Sequence, residues 1–142
     1  MKIGIRRLMA ASIVFCFALV GCRDETAVRT DEEMNALIIG TWVSNDGPLS
    51  LYYMEKTYAP DGTSTGFLLN RQTGKRINFT SRWQIKDGHY SGQVIGSSDP
   101  ALPTGASFST QIIKMTEKQF ITIQDGTGRV TFNRRKGRFA LF

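Results

Sequence analysis

The chain has 142 residues, two cysteines, one histidine and a formal net charge of +6. Half of that charge comes from Lys2, Arg6 and Arg7 in a leader, residues 1–21, that holds no acid, so the remainder is only mildly basic at +3. Cys16 falls inside the leader, Cys22 directly follows it, and His89 stands alone, which excludes a disulfide framework, a thiolate or imidazole metal cluster and a cysteine nucleophile for the domain. One exported globular domain of ordinary size is left.

The leader itself has three parts in export order. Lys2, Arg6 and Arg7 form a positive start, and Leu8–Val20 is an apolar run of 13 residues. That is too short for a stable bilayer span, which needs about 20 apolar residues, and suits a signal-peptide core. Leu19-Val20-Gly21-Cys22 follows. It resembles the lipobox of bacterial lipoproteins, in which a small residue precedes the cysteine at the cleavage site. The resemblance implies that Cys22 becomes the mature N-terminus and carries a diacylglyceryl group with acyl chains such as palmitate. Several chains on one residue hold a membrane firmly where a single chain binds only marginally. In that family an aspartate after the cysteine tends to retain the protein at the inner membrane of enteric bacteria. Arg23 occupies that position, so the resemblance implies an outer-membrane anchor facing the periplasm.

Residues 22–36 read as the lipidated tether and a short helix. Thr30 and Glu33 make a capping box ahead of Met34, Leu37 and Ile38. From there the pattern becomes strand-like, with runs at Ile38–Ser44, Leu49–Tyr58, Thr63–Asn70, Arg76–Lys86, His89–Gly96, Ala106–Met115, Gln119–Gln124 and Arg129–Arg135. Turn signals separate them, among them Pro60-Asp61-Gly62, Asp87-Gly88 and Asp125-Gly126-Thr127-Gly128. Asp87-Gly88 suits a two-residue type I′ hairpin, since both residues tolerate positive φ. Runs joined so tightly must be antiparallel neighbours, because a parallel crossover needs a dozen or more residues. The expected fold class is all-β: an antiparallel up-and-down meander of eight strands, closing into a barrel that leaves no edge, over residues 37–136, with residues 137–142 as a basic and apolar tail.

Alternation predicts the buried faces. Ile77, Phe79, Trp83 and Ile85 share one side of the fourth strand; Ile121 and Ile123 share one in the seventh, and Val130 and Phe132 in the last. The second strand is apolar on both sides, which suggests cover by the N-terminal helix. Gly40-Thr41-Trp42 opens the first strand after a helical turn, and Arg134-Arg135 closes the last. This resembles the lipocalin and wider calycin pattern, in which a Gly-x-Trp motif opens the barrel and an arginine from its far end packs over the indole. Tyr58-Ala59-Pro60-Asp61-Gly62-Thr63 and Ser81-Arg82-Trp83-Gln84-Ile85-Lys86-Asp87-Gly88 look like small bacterial lipocalin-like lipoprotein domains. Strand alternation puts Gly40, Trp42 and Arg134 on the inner side for closure, with Arg135 in solvent.

An eight-stranded barrel has room for packed side chains or one small ligand. The expectation is a small apolar ligand, contacted by Tyr53, Phe67, Trp83, Tyr90 and Phe108 beneath a lid at Ser97–Gly105. The competing reading is that these rings only fill the core, as a small domain requires. A different function class is an envelope interaction module that docks a protein or an anionic surface through the tail, where Arg134, Arg135, Lys136 and Arg138 precede Phe139-Ala140-Leu141-Phe142. Export and the lack of basic–aromatic interleaving exclude nucleic acid. Catalysis is not expected: His89 follows a hairpin turn, and the aspartates at positions 46, 61, 87 and 125 are single turn residues. No cofactor is expected.

Overall fold

The computed structural model describes residues 29–45, 47 and 49–137. The leader, Cys22 and the tail from residue 138 onward lie outside the described residues. Among the described residues one helix, α1 (Asp31–Ile38), precedes eight strands: β1 (Gly40–Ser44), β2 (Tyr52–Tyr58), β3 (Thr63–Asn70), β4 (Arg76–Lys86), β5 (His89–Ser97), β6 (Ser107–Met115), β7 (Gln119–Gln124) and β8 (Val130–Arg135). Each strand pairs antiparallel with the next, and β8 returns to pair with β1, so the sheet is a closed barrel, as the turn spacing predicts. Asp87 and Gly88 adopt φ of 51° and 73°, the positive values the β4–β5 hairpin turn requires. Ile38, expected to begin the first strand, instead ends α1 and is fully buried.

Local chemistry starts the helix and long-range contacts seat it. Thr30 Oγ1 accepts from the Glu33 amide at 3.2 Å, and the Glu33 carboxylate accepts from the Thr30 amide at 3.1 Å, the reciprocal capping box. Asp31 accepts from the amides of Asp87 (2.6 Å) and Gly88 (3.0 Å), and Asn35 donates to the Ile85 carbonyl at 3.2 Å. Met34 and Ile38 then pack with Trp42, Trp83, Ile85, Met115 and Phe120 as the floor of the barrel. The helix therefore plugs one end and does not lie over the outer face of β2.

Side-chain parity matches the alternation in β4, where every second residue from Ile77 to Ile85 is buried. It is the reverse of expectation in β7 and in β8, since Phe120 and Thr122 and not Ile121 and Ile123 take the buried positions of β7. Phe132 is 64% exposed and Val130 43% exposed, and they pair across the outer face with Ile121 and Ile123. Thr131, Asn133 and Arg135 take the inner positions, Asn133 being buried. One wall of the interior is thus largely polar above Phe120, and Ile121–Phe132 and Ile123–Val130 form cross-strand pairs outside.

Candidate functional site

The closure point shows the parity change most clearly. In the β1–β8 ladder Trp42 stands opposite Arg135 and Val43 opposite Arg134. The Arg135 guanidinium lies 4.4 Å from the Trp42 ring centre and donates to the carbonyls of Leu37, Ile39 (2.8 Å) and Glu117 (2.6 Å). Two of those carbonyls belong to the end of α1 and the residue after it, where helix geometry leaves acceptors without partners. Gly40, at φ of 121°, gives the guanidinium space: a Cβ there would meet its Nη1 at 2.6 Å. Gly40 and Trp42 hold the expected positions, whereas Arg134 is exposed on the outer face, and its assignment to the closure is corrected to Arg135.

Above the floor the barrel interior holds a cavity of about 320 Å³ that opens to solvent at the end away from α1, which clears the lower end of the roughly 300–1,000 Å³ typical of ligand pockets. One wall is apolar, built by Leu68, Phe79, Val94 and Phe108; the opposite wall carries Thr122, Gln124, Thr131 and Asn133. Leu102, from the β5–β6 connection, also borders the cavity, at the end opposite α1. That connection is tied to the β3–β4 turn by Lys75–Asp99 at 2.7 Å. Gly92 lets the Phe108 ring lie against β5, since a Cβ there would stand 2.5 Å from it.

Lys56 projects into this space from β2 and is only 5% exposed. Its Nζ donates to Tyr90 Oη at 2.7 Å and lies 4.9–5.7 Å from the ring centres of Phe108, Tyr58, Tyr90 and Phe79. The hydroxyls of Tyr58 and Tyr90 are 2.9 Å apart. No carboxylate of the described residues lines the cavity. Burial lowers the Lys56 pKa to about 7, because a charged ammonium loses its hydration there and no anion replaces it. Burial also raises both phenols above their ordinary range, Tyr90 further through the adjoining Tyr58.

The five expected ligand contacts divide. Tyr90 and Phe108 line the cavity. Trp83 is buried one layer lower, donating from its indole to the Thr63 carbonyl at 2.8 Å and meeting Tyr58 edge-on at 5.6 Å. Tyr53 and Phe67 are corrected to the outer face, where they pack together at 5.9 Å under the guanidinium groups of Arg71 (5.6 Å) and Arg76 (3.7 Å). A shallow depression of about 660 Å³ adjoins them on the outside and includes Glu55, Arg76 and Asn78. It is larger than the interior space, but it lies on the outer surface, away from the buried charge. Lys56, the residue that sets the chemistry of the interior, went unrecognised in the sequence. Its signal was the parity it shares with Met54 and Tyr58, an apolar face interrupted by a lysine.

His89 is partly exposed, with Nδ1 3.0 Å from the Asp87 carbonyl and Nε2 3.9 Å from Asp125. Among the described residues no three His, Cys, Asp or Glu side chains gather as a metal site would need. No protein-family model and no curated protein matches the chain. Several solved structures are similar to it, among them two from Bacteroides species. One is a lipocalin-like protein from Bacteroides uniformis ATCC 8492, with TM-score 0.50, 12% identity, and coverage of 70% of this chain and 99% of that one. The other is an uncharacterized protein from Bacteroides eggerthii DSM 20697, with TM-score 0.47, 14% identity and the same coverage. The first likeness and the closed ladder together make this an all-β, antiparallel eight-stranded barrel with one short helix, lipocalin-like in fold.

Proposed function

We propose that the domain binds one small, mostly apolar ligand inside its barrel, without catalysis, while anchored to the cell envelope through lipid on Cys22. The observation that carries the binding reading is the interior cavity of about 320 Å³. A barrel packed for stability alone would fill that space, since cores reach the density of organic crystals and voids are destabilising. With about 30 Å³ of liquid volume per water-sized group, the space suits a ligand of roughly ten non-hydrogen atoms. Native mass spectrometry of the lipoprotein purified from its own membrane tests this. A retained small molecule of that size is expected. Mass matching the bare protein, with another envelope protein co-purifying, would move the function to the outer surface.

The anchor rests on the leader alone, which ends in Leu19-Val20-Gly21-Cys22. Metabolic labelling with a palmitate analogue should mark the wild type and spare Cys22→Ser, which should accumulate as uncut precursor. Equal labelling of both would overturn the anchor. Fractionation of the labelled envelope should place the wild type in the outer membrane, and recovery in the inner membrane would overturn that address.

A further inference from the structure

The interior can be read by its unspent donors. A lysine ammonium has three N–H donors and each phenol one. Among the described residues, Lys56 spends one donor on Tyr90, and Tyr58 and Tyr90 share one hydrogen bond between their hydroxyls. Whichever phenol donates, one O–H proton remains, together with two N–H protons of Lys56. Three donors and a positive charge therefore converge at the base of the cavity with no carboxylate lining it. Arg129, near the opposite end, adds a second cation to the lining.

We infer that the ligand is an organic anion, a carboxylate with an apolar body, whose acidic group is held by Lys56 and the Tyr58–Tyr90 hydroxyl pair. This rests on the barrel-binding reading and specifies its ligand class. A carboxylate is acceptor-only, with about four lone-pair sites, so it matches a cluster that has donors to spare and no acceptor need. Charge-assisted bonds of this kind are the shorter and stronger ones. The two walls divide accordingly. Leu68, Phe79, Val94 and Phe108 take the apolar body, and Thr122 and Asn133 give the polar group a path past them to Lys56.

The anion requires the charged form of Lys56, whose pKa in the free protein is about 7. The other charged or titratable groups facing the cavity are Tyr58 and Tyr90, both shifted upward, and Arg129. Between pH 6 and 9 a carboxylate stays ionised, so the state of Lys56 governs the binding.

Octanoate and 1-octanol, equal in chain length and different in charge, are the probes, titrated calorimetrically into the wild type, Lys56→Met and Lys56→Gln. At pH 6 the wild type should bind octanoate at least about tenfold more tightly than 1-octanol. That preference should fade as pH rises above 7, and both variants should lose it while keeping 1-octanol within a few-fold. Equal or tighter binding of the alcohol to the wild type overturns the inference and leaves the barrel-binding reading in place. So does an octanoate preference that survives in the variants or ignores pH. Binding of neither probe removes both. The wild-type pH profile needs no variant to fold, so the test decides even if a substitution fails.

Discussion

Lys56→Met should make the empty barrel more stable at pH 6, by about 1–4 kcal/mol, the range seen when even a buried ion pair is replaced by well-packed apolar side chains. The substitution leaves the Tyr58–Tyr90 hydrogen bond intact, so it creates no orphaned hydroxyl. The four surrounding rings offset only part of the lost hydration. The pH dependence follows from linkage. The folded pKa of Lys56, about 7, lies below the roughly 10.4 of an unfolded lysine. Between those values the unfolded chain binds more protons, so wild-type stability rises with pH across that window; below pH 7 both states are protonated and the full penalty applies. The variant lacks this contribution. Its advantage should shrink from pH 7 to 9, at no more than about 1.4 kcal/mol per unit. Urea unfolding of both proteins at pH 6 and 9 measures the difference directly. A less stable variant at pH 6, or parallel pH slopes, would show that Lys56 does not carry an uncompensated buried charge.

Arg135→Ala should destabilise the domain by about 2–4 kcal/mol. It removes the guanidinium from the Trp42 ring and strips partners from the carbonyls of Leu37, Ile39 and Glu117. Hydrogen bonds from a charged donor contribute about 1.5–3 kcal/mol, and a desolvated cation–ring contact about 2, discounted here because water can reach part of the site. Arg135→Lys should recover only a fraction, since one ammonium cannot reproduce a planar fork that reaches three carbonyls and stacks on an indole. Arg134→Ala should stay within about 1 kcal/mol of wild type, as exposed charges usually do. Guanidinium denaturation of the three variants ranks them, and a larger loss at Arg134 than at Arg135 would refute the register of the β1–β8 ladder.

These expectations reverse the assignment that alternation alone suggests for the two arginines, and the reason is physical. A strand's two faces are distinguished locally only by which residues are apolar, and a one-residue change of parity exchanges the faces completely. In β8 the apolar pair Val130 and Phe132 lies outside against Ile123 and Ile121, while the inner positions hold Thr131 and Asn133. Hydropathy therefore points the wrong way. In β6 a bulge between Ile112 and Lys114 lets Phe108, Thr110 and, beyond it, Met115 all face inward, a parity change that periodicity cannot register.

Where a signal depends on neighbours in the chain, the sequence by itself determined the outcome. The Thr30–Glu33 cap, the positive-φ turn at Asp87-Gly88 and the order of eight antiparallel strands all follow from bonds made within a few residues or from loops too short for any other connection, while the place of Gly40 and Trp42 at the barrel opening is what the resemblance to the lipocalin pattern implies. The tertiary structure alone decided which arginine closes the barrel, which side of β2 and β8 faces inward, and that Lys56 stands buried among four rings above the floor. Those outcomes depend on strands distant in sequence. Arg135 finds its acceptors at residues 37 and 39, and Lys56 meets the Tyr90 hydroxyl 34 residues away, so burial and the resulting electrostatics arise only when the closed ladder brings those groups together.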